Sequence, residues 1–391
     1  MKRSGINNKI KNRRLSLHLL LVAFAIVIIS FAFGSCKNNH TGEFNLTMSL
    51  QADCKITNPG MSSTVQIIKD RLSTYGVPEK NMSISFVDDK ISLKIESTDA
   101  PERLALLATT TGNLEFWETY EFGDVYSFME KANTKASLLL YGDDASKKAC
   151  LDSLKKIKEK VTVEIKKDED TSSLISKVNK SKSQQGANDL TFEEYEIKNP
   201  LFAILRPNFE SKDGKYYYGK GPVVGFSDIK DTAEINGILA LPEVNKCFPS
   251  LLKFMWTMQA YDEKKSMLKL LAVKSTHFDN KAPLDGSYIT KASYDAEGDN
   301  NYSIIISMNY EGTMIWDRMT KNNIGKSIAI TLDGFVYSFP VVQSEISKGH
   351  TTISGNFTQE EAEDMVTILT IGKLPYKLKI LKSEITELKI N

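Results

Sequence analysis

The sequence predicts an α+β protein. Three observations carry that prediction. Some short segments alternate apolar and polar residues, as half-buried strands do. Others repeat apolar residues at spacings of three and four, as amphipathic helices do. The two kinds follow one another as hairpins and single helices, without the repeated strand–helix–strand units of a parallel sheet.

The elements follow in order. Residues 44–50 alternate as a strand, and Asn58-Pro59-Gly60 is expected to turn the chain. Val65, Ile68, Leu72 and Tyr75 then line one helical face, which Gly76 stops. Two strands, 84–87 and 91–95, flank Asp88-Asp89-Lys90 as a hairpin. Pro101 opens a second helix with Leu104 and Leu107 on its apolar side, and 114–120 is a further strand. The resulting order, strand–helix–strand–strand–helix–strand, is that of a ferredoxin-like split βαβ layout.

Residues 121–267 break the pattern. The stretch 155–167 is rich in lysine and is expected to be a solvated face, and 168–188 is polar and expected to be a loop or linker. Aromatic residues gather at Tyr216-Tyr217-Tyr218 and again over 254–261; core is the expected place for both, and an exposed binding patch is the alternative. From 268 the pattern returns. Strands are expected at 268–273, 288–294 and 302–308. A short helix over 311–320 carries Met314, Ile315 and Met319 on its apolar side. Strands 328–332 and 336–342 surround Asp333-Gly334, a strong hairpin signature. Thr358-Gln359-Glu360-Glu361 is a capping box for a helix that turns Ala362, Met365, Val366 and Leu369 inward. Gly372 and Pro375 end it, and a strand over 376–381 is the last element.

The N-terminus is a separate matter. Six basic residues (Lys2, Arg3, Lys9, Lys11, Arg13, Arg14) precede a run, 15–33, that has no formal charge. That order reads as a signal peptide or a single anchor, with the remainder exported. Gly34 and Ser35 are small, and Cys36 follows them, so cleavage before an acylated Cys36 is expected; an uncleaved helix is the second reading and a bare secreted protein the third and least favoured. Residues 36–43 form a tether. The exported body keeps all 49 acidic residues and, without those six, 44 of the 50 basic ones, a net charge near −5. Nothing there favours nucleic acid, whose binding rests on clustered positive charge. Cys54, Cys150 and Cys247 are too few and too scattered for a disulfide framework, though one pair is allowed.

No catalytic constellation is apparent. His18 and His40 lie near the N-terminus, and His277 and His350 have no second ligand at metal spacing. The run "GKGPVVG" (219–225) lacks the lysine and hydroxyl of a phosphate loop, and "DAEGDNN" (295–301) misses the intervals of a calcium loop. Glu360-Glu361 sits in a first helical turn, where it complements the dipole. An enzyme is not expected, and neither is a metal or a cofactor. A hydrolase is the least favoured reading.

Several segments carry a resemblance. "TVQIIKDRLSTYGVPEKNMSI" (64–84) and "TGNLEFWE" (111–118) resemble the first periplasmic domain of SecD, a subunit of the Sec protein translocase. The stretch 281–381 resembles SecD nearly continuously, and "GPVVGF" (221–226) with the long insertion is similar to the fused SecDF of Bacteroidetes. The resemblance implies a base, 44–120 plus 376–391, and a head, 268–375, with 121–267 inserted. It marks Gly76, Asp285, Gly286, Gly312, Gly325, Asp333, Gly334, Gly355 and Gly372 as fold-defining turns and caps. It also implies a non-catalytic module that binds Sec components or unfolded exported polypeptide. The family's glycine-rich start is replaced by "FNLTMSLQA" (44–52), and the sequence stops at Asn391 before any proton-relay helix would follow. A lipid-anchored module without its own motor is therefore expected. A divergent envelope lipoprotein with a structural or ligand-binding role is the alternative.

Overall fold

The structure, a computed structural model, describes residues 44–54, 56–153, 191–262, 264, 266–275, 281–298 and 301–387. The apolar run, His18, Cys36, His40 and the tether lie outside the described residues, as do 155–167, 168–188 and His277.

The first unit is built as the alternation dictates. β1 (Phe44–Ala52) buries Phe44, Leu46, Met48 and Leu50 and leaves the residues between them on the open face. α1 (Asn58–Tyr75) begins where a turn was expected. Pro59 fits a first helical turn, and the Thr57 side chain accepts the Gly60 N–H, so Asn-Pro-Gly starts a helix. β2 (Met82–Val87) and β3 (Lys90–Ser97) form the hairpin, and α2 (Pro101–Thr109) follows. Ile68, Leu72, Leu104 and Leu107 from the two helices pack with Ile91, Leu93 and Ile95 in one core.

β4 (Leu114–Thr119) then begins the second unit. Next come α3 (Phe122–Tyr141), α4 (Phe192–Lys198), β5 (Arg206–Pro207), β6 (Phe209–Lys212), β7 (Lys215–Tyr218), β8 (Val223–Asp228), α5 (Thr232–Leu239), α6 (Pro242–Asn245) and β9 (Leu252–Trp256). The chain continues through β10 (Met267–Lys274), β11 (Leu284–Asp285), β12 (Ile289–Ala296), β13 (Tyr302–Met308) and α7 (Tyr310–Asn322). It ends with β14 (Ile328–Leu332), β15 (Phe335–Ser338), β16 (His350–Phe357), α8 (Gln359–Ile371) and β17 (Leu378–Glu387).

The first sheet has the order β17-β1-β3-β2 and is antiparallel throughout. Its fourth place, expected for residues 114–120, is taken by the last strand of the chain. β4 goes instead to an eight-stranded sheet ordered β15-β14-β4-β10-β8-β5, with β11 also on β4 and β9 also on β10. The reason is visible in its side chains. Leu114 and Phe116 pack into one core and Trp117 into another, so both faces of β4 are covered. A three-stranded sheet, β12-β13-β16, and the β6–β7 hairpin complete the second unit.

Other expectations also need correction. The expected boundary between 267 and 268 falls inside β10, and residues on both sides of it share the eight-stranded sheet through β8 and β10. The strand expected over 336–342 runs only from Phe335 to Ser338, because Pro340 cannot donate to a ladder. On α7 the buried positions are Gly312, Trp316, Met319 and Thr320, and Met314 turns to solvent. Tyr216, Tyr217 and Tyr218 are 77%, 51% and 52% exposed, not core. In the second aromatic group Trp256 is buried and Tyr261 is exposed. Cys54, Cys150 and Cys247 are all free thiols.

Candidate functional site

The chain crosses between the two units twice, through 110–113 on the way out and 372–377 on the way back. Both crossings meet at one point, and a single buried cation sits there. Arg71, on the inner face of α1, has no solvent exposure. Its Nη1 donates to the carbonyls of Leu107 (3.2 Å) and Thr110 (2.5 Å), and its Nη2 to those of Thr111 (3.3 Å) and Gly372 (2.6 Å). These oxygens belong to the C-terminal ends of α2 and α8, where carbonyls lack intrahelical partners and the dipole is negative. Burial pulls the Arg71 guanidinium down to about 10, and the nearby Asp333 works against that shift. The group is still a cation at neutral pH.

Asp333 closes the crossing from the other unit. It lies in the two-residue turn between β14 and β15, at φ 53°, with Gly334 at φ 86°. Its Oδ2 accepts the Thr111 N–H and its Oδ1 the Asn113 N–H, both at 2.8 Å. Its own N–H donates to the Asn113 carbonyl (3.1 Å). The two crossings are also tied to each other. Leu374 N–H donates to the Thr111 carbonyl (2.8 Å), and Lys373 Nζ donates to Asn113 Oδ1 (2.6 Å). The cation therefore holds carbonyls and the carboxylate holds amides of the same short segment.

Gly112 is what lets the segment fit. Its φ is +83°, and a Cβ there would lie 2.8 Å from Ile368 Cγ2 and 2.9 Å from Arg71 Nη2. A side chain would be strained by the backbone and blocked by its surroundings.

A second clasp lies beside the first. Arg103 of α2 donates from Nε and Nη2 to Asp364 of α8, the closest contact being 2.8 Å, and reaches Glu363 at 3.5 Å and the Glu360 carbonyl at 3.3 Å. Its guanidinium also lies over the Tyr75 ring, 4.8 Å from the centroid. Burial opposes the Arg103 charge, but the hydrogen bond and field of Asp364 outweigh it and raise its pKa. Burial pushes Asp364 up in spite of Arg103. Burial also pushes Glu363 up, but hydrogen bonds from Gln359, Tyr294 and Arg103 together bring it below the usual range.

Of the residues singled out from the sequence, Asp333, with Gly334 beside it in the same turn, and Gly372 come to this point. Gly76 caps α1 at φ 118°, and Gly325 sits at φ 79° after α7. Asp285 accepts the Ser287 N–H, and Gly286 starts the short turn that follows. Gly312 is pressed against Tyr288, and Gly355 against the Phe357 ring. Arg71, Arg103, Asp364 and Gly112 were missed. An arginine on the apolar stripe of a predicted helix (Ile68, Arg71, Leu72) was the available signal.

His350 is not alone. Its Nδ1 lies 2.9 Å from Ser307 Oγ, directly opposite on β13. Among the described residues no group of three or more His, Cys, Asp and Glu could hold a metal, and no helix is long and apolar enough to cross a membrane.

The architecture defines a class: a helix-backed antiparallel sheet into which a larger α+β unit is inserted by a double crossing. Comparison with known proteins finds similarity to SecD and SecDF. A family model described as the SecDF P1 head subdomain matches residues 263–376. The protein translocase subunit SecD of Rhodothermus marinus is 29% identical over 332 residues, covering 82% of this chain and 46% of that protein. SecD of Syntrophobacter fumaroxidans is 38% identical over 100 residues, covering 25% of this chain and 19% of its own length. The chain thus spans less than half the length of these relatives. Two solved structures are also similar. SecDF in a super-membrane-facing form aligns over 95% of this chain and 35% of its own (TM-score 0.43, 15% identity). SecDF described as a membrane component that enhances protein export aligns over 86% and 98% (TM-score 0.40, 16% identity). The chain carries a SecD-like periplasmic domain.

Proposed function

We propose that the protein is a non-catalytic, membrane-tethered periplasmic module of protein translocation, binding either unfolded exported polypeptide or the Sec machinery itself. One observation carries this reading. The SecD alignment runs over 82% of the chain, and the head-subdomain model matches residues 263–376. We read the first sheet, in its order β17-β1-β3-β2 with α1 and α2 on one face, as a ferredoxin-like base. We read 1–35 as a leader, with acylated Cys36 or an uncleaved helix as the tether.

Holding an extended chain takes apolar pockets and free strand edges and needs no nucleophile. Two strand edges suit that work: β12, which ends the three-stranded sheet, and β2, which ends the first. The test is photocrosslinking in cells from a probe placed on the outer edge of β12. The reading expects adducts to exported chains during synthesis, or to Sec subunits. Adducts to neither, with export at wild-type rates in a deletion strain, refute it.

A further inference from the structure

The β6–β7 hairpin has no role in the crossing and makes a sheet with nothing but itself. Its turn, Asp213 at φ 52° and Gly214 at φ 72°, is the tight primed type, and all eight strand residues are exposed. Only its foot is braced. Phe209 and Tyr218 stand edge-on to Phe122 at 5.5 and 5.6 Å, and Phe209 meets Tyr126 at 4.9 Å. Beyond that foot the ribbon projects Tyr216 and Tyr217.

The pairing sets the two faces. Phe209 opposes Tyr218 and Ser211 opposes Tyr216, while Glu210 opposes Tyr217 and Lys212 opposes Lys215. The ribbon therefore carries exposed tyrosine on both faces, with lysines on either side of its turn. Lys220 follows, so residues 209–220 hold three lysines against Glu210 and Asp213, in a body that is acidic overall. Tyr216 and Tyr217 are exposed aromatics beyond the braced foot, and such apolar surface points to an interaction site.

We propose that this ribbon is a membrane-docking device that inserts its tyrosines at the headgroup level of a bilayer carrying anionic lipid. Tyrosine has an apolar ring and a polar tip, which suits that depth on either face of a ribbon. Lysine lays its apolar stem against the boundary and its ammonium among the phosphates. The local excess of lysine is complementary to an anionic surface, where each lysine strengthens association about fivefold. Docking would hold the inserted unit beside the bilayer independently of any N-terminal tether. The proposal goes beyond the binding of polypeptide or Sec subunits and does not require it.

The test uses the full chain in vesicles containing phosphatidylglycerol and brominated phosphatidylcholine. Tyr216→Trp places a fluorophore on the ribbon. The native Trp117, Trp256 and Trp316 are buried, so new quenching by lipid bromine reports the ribbon. Tyr310→Trp, at an 82% exposed position on α7, is the control. The proposal expects strong quenching at 216 and little at 310. Adding Lys212→Gln and Lys215→Gln should weaken docking on anionic vesicles by roughly twentyfold, and high salt should do the same. Absent quenching at 216, equal quenching at both positions, or quenching indifferent to lipid charge and salt overturns it. So does a shift at 216 produced by an unfolded polypeptide without lipid, which would make the ribbon a polypeptide site. The positions are exposed, and an unchanged far-UV spectrum shows that each variant is folded.

Discussion

The sharpest consequence of the crossing concerns Asp333→Asn. The substitution preserves shape and removes one acceptor. In the native protein two amides, Thr111 and Asn113, each donate to one carboxylate oxygen at 2.8 Å. An asparagine side chain can accept from one of them with its oxygen. Its NH2 must then face the other N–H, donor against donor. Leaving a buried donor unsatisfied costs about 1–3 kcal/mol, and exchanging the remaining charge-assisted bond for a neutral one costs about 1 kcal/mol more. The substitution also removes the field that opposes the burial shift of Arg71. A loss of about 2–4 kcal/mol is expected at the crossing.

The assay should be local, because a chain with two units need not unfold as one. Hydrogen exchange read at Thr111, Asn113 and Leu374 measures opening of the crossing directly. The loss above corresponds to exchange roughly 30- to 900-fold faster at those amides. Amides of β3, remote from Asp333 in the first sheet, should change far less. Exchange at the three amides accelerated by less than about threefold would refute the argument, because the carboxylate would then not be what holds the segment.

The other predictions are briefer. Gly112→Ala combines positive φ with a blocked Cβ and should cost about 2–4 kcal/mol, seen as a lowered melting temperature or loss of soluble protein. Trp316→Ala should cost about 3–5 kcal/mol, whereas Met314→Ala on the same helix should stay within about 0.5 kcal/mol, measured by denaturant unfolding. Arg103→Ala leaves Asp364 buried without its cation and should cost about 2–4 kcal/mol, discounted for the partial exposure of the arginine. The pH dependence follows from Glu363, whose pKa in the folded protein lies below its ordinary 4.5. A depressed carboxylate contributes stability above its unfolded pKa and loses it as pH falls through the folded one. Acid titration from pH 4.5 downward should therefore remove the part of the stability that Glu363 supplies through Gln359, Tyr294 and Arg103, while Asp364, whose pKa is raised, works in the opposite direction; the Glu363 part should shrink in Arg103→Ala.

Much of the fold was legible because one-sided burial writes itself into the sequence. The alternation of Phe44, Leu46, Met48 and Leu50 and the stripe of Ile68 and Leu72 each report a surface with one wet face. The capping box at Thr358 is local chemistry and was readable for the same reason. β4 was misplaced because its local pattern states that it is a strand but not which strand it joins. That choice rests on Trp117 and Phe116 finding cores on opposite faces, contributed by residues about 105–250 positions later. The tyrosine run was misread because aromatic clustering usually signals burial, and a hairpin that stands free of the core reverses the inference. The crossing was hardest to see. The hydrogen bonds of Arg71 all go from Nη1 and Nη2 to backbone carbonyls, which every residue possesses, so no partner side chain in the sequence marks it.

α8 shows where the assembly is weakest. Its Ala362 and Met365 lie in the core of the inserted unit with Ile304, Ile306 and Ile353. Its Ile368 lies in the core of the first unit. The helix is thus shared, and the two units cannot turn about the crossing without parting one of its faces. The face toward β12, β13 and β16 is held by apolar burial of several side chains, each worth about 1.5–3 kcal/mol. The face toward α1 and α2 is held by Ile368 and by polar contacts: Arg103 with Asp364 and Glu363, and the carbonyl of Gly372 on Arg71. Polar contacts can be exchanged for water, whereas exposed apolar area cannot be compensated in that way. Any relative movement would therefore open the polar seam and carry α8 with the inserted unit. Arg71 would be the last contact to yield, since leaving its carbonyls requires a buried cation to find new partners. A clamp made of one cation and several backbone dipoles resists that step without fixing a single ion-pair geometry, which suits a joint that two chain crossings must share.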